Sequence, residues 1–145
     1  MAMTESIVRR AVETDVPAMA QIVCDWEAAT EWVPDTYSLN ESENFLREVM
    51  PNRDIWVVGT PVQGYLSLNA DEGRIGMLYC SARGSGFGKA LMERAKDGRD
   101  FLWLTTQACN DNAQRFYKRE GFVDVGSFPV EPPNTLPEIR MEWRA

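Results

Sequence analysis

Three glycines at alternate positions, Gly84, Gly86 and Gly88, stand between Arg83 and Lys89 in the run RGSGFGKA. Phe87, Ala90, Leu91 and Ala95 then recur at helical spacing until Gly98, so the glycines open a helix. The N–H groups of a first helical turn have no acceptor within the helix, and together with the helix dipole they attract anions. Glycine lets the backbone approach such a ligand closely. A pyrophosphate suits that arrangement, and spacing narrows which one. The dinucleotide fingerprint G-x-G-x-x-G fails, because Lys89 or Leu91 stands where its third glycine belongs. The triphosphate loop G-x-x-x-x-G-K-[ST] fails too: Arg83 occupies its first glycine position and Ala90 replaces the magnesium-binding hydroxyl.

The chain has no histidine, which removes the Ser-His-Asp and Cys-His machineries and the commonest metal ligand together. Acid and base chemistry therefore falls to carboxylates, Tyr, Lys or Cys, and no metal site is expected. Cys24, Cys80 and Cys109 form no CxxC pair and read as reduced thiols. A thiol without a histidine partner has little to lower its pKa, so a nucleophilic cysteine is disfavoured.

The elements that must position the loop follow from periodicity. TDVPAMAQIVCDWEAAT reads as a helix opened by Thr14 or Asp15, with Val16, Met19, Ala20 and Val23 as its apolar stripe and Pro17 tolerated in the first turn. The segment EWVPDTYSLN reads as a loop, after which Asn40 and Glu43 offer a capping box for a helix through Met50. IWVVG, VQGYLSL and RIGMLYC form an antiparallel meander. After the glycine loop and its helix, the apolar run FLWLT reads as a strand covered on both faces, which completes a βαβ unit. Ala113, Phe116 and Tyr117 mark another helix, stopped by Gly121; Phe122 starts a strand. Pro129, Pro132, Pro133 and Pro137 make a loop, and Ile139, Met141 and Trp143 alternate along a last strand.

The 145 residues suit a single domain with one core. No apolar run approaches the roughly 20 residues that span a bilayer, so no membrane partner is expected. The start MAMTESIVRR lacks the apolar core of an export signal, and the expected location is cytoplasmic. A net charge of −7 disfavours nucleic acid and suits a cationic small molecule.

Two stretches carry a family resemblance. Arg83, Gly86 and Gly88 fit R-x-x-G-x-G, and Asn110, Ala113, Phe116, Tyr117, Gly121 and Phe122 fit N-x-x-A-x-x-[LF]-Y-x-x-x-G-F. In that order, with one strand between them, they resemble the two signatures of the GCN5-related N-acetyltransferase family. The order of elements along nearly the whole chain is also similar to the family's, and residues 31–53 match least. The resemblance implies an α/β fold: a mixed, mostly antiparallel sheet of about seven strands, helices on both faces, and one parallel pair that splays apart. One departure stands out. Only Cys80, Ser81 and Ala82 separate Tyr79 from Arg83, a shorter connection than the family's usual one.

The implied reaction is direct attack of a primary amine, on a small molecule or peptide, upon the thioester of acetyl-CoA. It needs no covalent enzyme intermediate, so the missing histidine is no obstacle. The implied coenzyme A site comprises Arg83, Gly84, Ser85, Gly86, Phe87, Gly88 and Lys89 for the pyrophosphate and Leu78, Tyr79 and Cys80 for the pantetheine arm and thioester, with Asn110 as a further contact. Tyr117 matches the general acid toward the CoA thiolate, although it also continues the apolar stripe. Asn110 could equally be an N-cap. The implied acceptor pocket borders Trp26, Glu27, Glu31, Trp32, Asp35 and Tyr37, aromatic and acidic residues that suit a cation. Homodimers are common in the family. The alternatives are a noncatalytic acyl-CoA binding or sensor module and a plain α/β interaction domain whose glycines are structural.

Overall fold

A computed structural model describes residues 7–34, 36–81, 84–130 and 135–145. Strand β1 (Val8–Arg10) leads through a 3-10 turn at Glu13–Asp15 into helix α1 (Val16–Ala28). Asp15 is the N-cap residue, but its carboxylate faces backward. It accepts two hydrogen bonds of 2.8 Å from the Arg9 guanidinium and one of 2.8 Å from the Val12 N–H. Val16, Met19, Ala20 and Ile22 are buried, whereas Val23 is half-buried, so the apolar stripe turns through Ile22.

Helix α2 (Leu39–Val49) begins earlier than expected. Its capping box is Ser38 with Glu41, not Asn40 with Glu43: Ser38 Oγ accepts the Glu41 N–H at 3.1 Å, and Glu41 Oε1 accepts the Ser38 N–H at 2.9 Å. Both pairs have the i, i+3 spacing the box requires, and the serine lies upstream, so the helix starts there and includes Leu39 and Asn40. Leu46 and Ser42 are its buried residues, and Leu46 joins the core cluster containing α1.

Strands β2 (Asp54–Val58), β3 (Gly64–Asn69) and β4 (Arg74–Cys80) form the expected antiparallel meander. Ile55, Val57 and Tyr65 join the cluster with α1 and α2. Trp56, Val58, Leu66 and Leu68 face the other cluster, with α3 (Phe87–Lys96). In β4 the register shifts: Ser67 pairs with Met77 but Leu68 with Ile75, so Gly76 is an extra residue. That bulge reverses the alternation. Ile75 lies on the α3 side, and after the bulge so do Leu78 and Cys80, while Met77 and Tyr79 face α1.

Beyond α3 comes β5 (Phe101–Gln107), parallel to β4; then α4 (Asp111–Arg119), β6 (Val123–Phe128) and β7 (Glu138–Arg144). The seven-stranded sheet runs β1-β2-β3-β4-β5-β7-β6, all antiparallel except β4–β5, with helices on both faces. That is the expected α/β architecture.

One expectation for β5 needs correction. Its burial alternates, with Leu102, Leu104 and Thr106 buried and Phe101, Trp103 and Thr105 half-buried. The second face is covered by guanidinium groups: Arg140 lies 3.9 Å and Arg74 4.8 Å from the Trp103 ring centre, and Arg144 lies 4.8 Å from that of Phe101. Cation–π stacking shields these rings while leaving the charges wet, which is why an apolar run here has one buried face.

Candidate active site

The N-terminus of α3 is open by construction. Gly86 is its N-cap at φ 84°, a left-handed conformation that a side chain would strain, and no side chain caps the helix. The first helical bond runs from Ala90 N–H to Gly86 O at 3.0 Å, so the N–H groups of Phe87, Gly88 and Lys89 have no acceptor within the helix. No acidic residue stands in the first turn. Lys89 is exposed and pairs loosely with Glu93 at 3.4 Å, while Phe87 packs against the core. Gly84 and Ser85 are exposed in the loop. Such a terminus, uncapped and free of carboxylates, fits an anionic diphosphate. Arg83 lies outside the described residues.

Strand β4 supplies the second half. The ladder between β4 and β5 registers at one position only, Arg74 with Trp103, and the strands part beyond it. The Ser81 N–H donates to Gln63 O at 2.7 Å, and this bond sets the phase of the β3–β4 ladder. In an antiparallel pair, hydrogen-bonded and non-hydrogen-bonded positions alternate. Met77 and Tyr79 therefore direct their N–H and C=O groups to β3, whereas Leu78 and Cys80 direct theirs into the gap beside β5. Two backbone N–H groups thus line the splay.

Tyr117 comes to the same place from α4. The Asn110 side chain caps this helix by accepting the Ala113 N–H at 3.1 Å, and Phe116 and Tyr117 pack on the core as the stripe required. The Tyr117 ring meets Phe116 at 5.4 Å and Phe122 at 5.7 Å between centres. Burial pushes its hydroxyl far above the ordinary phenol range, with Tyr79 and Cys80 adding to the shift. Burial also raises the Cys80 thiol to about 11, which leaves it protonated and poorly nucleophilic at neutral pH. Cys80 Sγ occupies space cleared by Gly64, where a Cβ would lie 2.9 Å from it; a Cβ on Gly88 would meet it only at 3.9 Å, an ordinary contact.

On the α1 face a row of rings leads away from the core. Tyr65 and Tyr79, paired across the strands, have ring centres 5.8 Å apart. Tyr79 meets Trp26 edge-on at 5.3 Å, and Trp26 meets Trp32 at 5.7 Å. Glu27 accepts the Tyr37 N–H at 3.3 Å and lies close enough to Tyr65 and Tyr79 that its charge helps raise both phenols, Tyr79 to about 12, with burial the main cause. The structure therefore gathers Trp26, Glu27, Trp32 and Tyr79. Glu31 and the Tyr37 ring are exposed, and Asp35 lies outside the described residues.

The profile of the acetyltransferase (GNAT) domain family matches residues 51–124, just over half of the chain. The chain belongs to this family. It is an acetyltransferase. No curated protein matches the sequence. Among solved structures, the apo form of YjaB from Escherichia coli superposes with a TM-score of 0.78 at 23% identity, covering 97% of this chain and 98% of that one. A GCN5-related N-acetyltransferase from Rhodopseudomonas palustris gives 0.76 at 19% identity over 100% and 99% of the two chains. YncA from Salmonella typhimurium, a putative acetyltransferase solved with acetyl-CoA, gives 0.72 at 18% identity over 97% and 94%. At these identities the likeness is one of fold.

Within this GNAT fold, sequence reasoning missed Tyr65 and Gly64. Tyr65 is fully buried beneath Tyr79, and the period of two along β3 and β4 was the signal for their pairing. Gly64 had no local signal, because the thiol it accommodates comes from a neighbouring strand.

Proposed function

We propose that this GNAT enzyme transfers an acetyl group from acetyl-CoA to a primary amine by direct attack. The observation that carries this reading is the opening of β4 from β5 after Arg74 and Trp103, with the Leu78 and Cys80 N–H groups aimed into the gap. Tyr117 and the uncapped start of α3 flank the same strand end.

The roles follow from the groups present. The N–H groups of Phe87, Gly88 and Lys89, with Arg83, hold the pyrophosphate. Leu78 and Cys80 offer N–H donors to the pantetheine amides and to the thioester carbonyl, where one well-placed donor contributes about 3 to 4 kcal/mol to the transition state. The amine nitrogen bonds to the carbonyl carbon as the carbon–sulfur bond breaks, giving an amide and a thiol. Two protons leave the ammonium overall, one before attack and one that is balanced at the departing sulfur. The first costs about 4.5 kcal/mol for an alkylammonium at pH 7, so a nearby carboxylate or ordered water assists.

Tyr117 donates its hydroxyl hydrogen bond to the departing sulfur. At ordinary values a phenol is a weaker acid than a thiol by roughly 2 kcal/mol. Burial makes Tyr117 weaker still, but the same dry surroundings raise the proton affinity of the thiolate. Asn110 caps α4 through Oδ1, which leaves its amide N–H groups for the coenzyme. Three unpaired thiols suit a reducing, cytoplasmic setting.

The test is CoA release with a panel of primary amines, alongside calorimetry with acetyl-CoA. Binding and amine-dependent turnover are expected. Binding with no turnover on any amine would favour an acyl-CoA sensor, and no binding would refute the reading.

A further inference from the structure

Several buried or half-buried carboxylates have cationic partners: Asp15 with Arg9, Asp54 with Arg10, Glu43 with Arg47, Glu120 with Lys96, and Glu142 with Arg140 and Arg144. Glu27, like Glu138 at the start of β7, has no such ion pair among the described residues, and only Glu27 lies beside the row of rings. It is half-buried and stands beside two tyrosines. Its bond from the Tyr37 N–H ties the segment after α1 to that helix and uses one of its acceptor sites. A carboxylate has about four acceptor sites, so this one has lone pairs left to offer a cation.

The rings beside it change character along one line. Tyr65 has no exposed surface, whereas Tyr79, Trp26 and Trp32 are each half-buried, although they continue the same row, tilted at Tyr65–Tyr79 and edge-to-face from Tyr79 through Trp26 to Trp32. The row therefore leaves the core and reaches the surface next to the strand that opens from β5. Apolar ring surface with one unpaired acid at its side is matched by a single cation on an apolar body.

We propose that Glu27, with Trp26, Trp32 and Tyr79, selects the acceptor: a primary monoamine whose ammonium sits at the Glu27 carboxylate and whose body, about the size of an aromatic ring, lies against the three rings. This rests on the N-acetyltransferase reading and names its substrate class. A polyamine would need further acids around the rings, and exposed Glu31 is outside that row. An amino acid would bring its own carboxylate against Glu27. A peptide N-terminus would set amide groups against rings that cannot satisfy them.

The experiment compares 2-phenylethylamine, ethylamine, spermidine, phenylalanine and an alanine-terminated peptide as acceptors, with acetyl-CoA affinity measured separately. The arylalkylamine should exceed each of the others in kcat/KM by about tenfold or more. Glu27→Gln, which keeps the shape, should raise the amine KM by about 10- to 100-fold, the range of a charge-assisted bond, with kcat less affected and acetyl-CoA affinity unchanged. Glu27→Asp should recover part of the loss. Trp26→Leu should narrow the gap between 2-phenylethylamine and ethylamine. An unchanged KM in Glu27→Gln, or a peptide, amino acid or polyamine as the best acceptor, would overturn the inference while leaving acetyl transfer intact. Binding of acetyl-CoA without turnover on any of these amines would overturn it as well. Failure of the wild type to bind acetyl-CoA would refute the underlying reading and this inference with it.

Discussion

Gly88 at the start of α3 touches Phe116 on α4 so closely that a Cβ at position 88 would lie 3.1 Å from Phe116 Cε1 and 3.2 Å from Cζ. The two signature stretches, separate along the chain, therefore meet in one contact. Gly88→Ala should cost about 1 to 3 kcal/mol through overpacking. It should also weaken acetyl-CoA binding, because the N–H groups of the first turn move with the backbone. Phe116→Leu in the Gly88→Ala background should restore part of both losses. Denaturant melts and calorimetry on the four members of this cycle would reveal the coupling, and purely additive effects would show that the contact is slack.

Tyr117→Phe removes one hydroxyl and keeps the ring contacts with Phe116 and Phe122. The expected result is a fall in kcat of about 10- to 100-fold with acetyl-CoA affinity nearly unchanged, the pattern of an interaction made late in the reaction. Because burial raises the phenol, Tyr117 keeps its proton across the neutral range and beyond the ordinary phenol value. The rate should therefore show no alkaline limb from Tyr117 below about pH 10. A limb at lower pH that disappeared in Tyr117→Phe would contradict this placement.

Asp15 anchors the start of α1, the helix that carries Trp26 and Glu27. Its side chain is 8% exposed and is held by Arg9 and the Val12 N–H, so Asp15→Asn should cost about 1.5 to 3 kcal/mol. The bonds from Arg9 hold the carboxyl below its ordinary 3.8. A lowered folded value means that the stabilisation is complete above the ordinary pKa and is lost as pH falls through the folded one. The difference in stability between wild type and Asp15→Asn should therefore be constant near neutrality and shrink below about pH 4. A difference that did not change with pH would point to packing instead of charge.

Local chemistry made much of this legible in the sequence. The glycine loop, the helix stops at Gly98 and Gly121, the meander and the Tyr117 stripe each depend on neighbours within a few residues. What escaped depends on distant partners. The Gly76 bulge, which decides that Leu78 and Cys80 face α3 and Tyr79 faces α1, is defined only against β3. The wet second face of β5 depends on Arg74 and Arg140 from other strands. The cap of α2 moved because two i, i+3 pairs of equal chemistry lie close together, and local spacing alone does not rank them.

Alkaline pH tests the burial of the site directly. Cys80 is raised from 9.0 to about 11 and Tyr79 from 10.0 to about 12, both chiefly by burial. Below pH 9 these groups are protonated in the folded and unfolded chains alike, and their contribution is fully present. As pH rises past 9, the unfolded chain loses the Cys80 proton while the folded chain keeps it, so the unfolded state binds fewer protons and stability falls. Each such group contributes a slope of about 1.4 kcal/mol per pH unit until the folded value is reached. Cys80 titrates first, and Tyr65, Tyr79 and Tyr117 follow above the ordinary phenol value. Cys80→Ala should therefore flatten the decline between about pH 9 and 10, where the tyrosines have barely begun to contribute, and leave the steeper decline above it. Urea melts at half-unit pH steps on both proteins would measure the two slopes. Equal slopes below pH 10 would mean that the thiol beside Gly64 is already in contact with water, and that the strand end it occupies is not the dry surface proposed for the thioester.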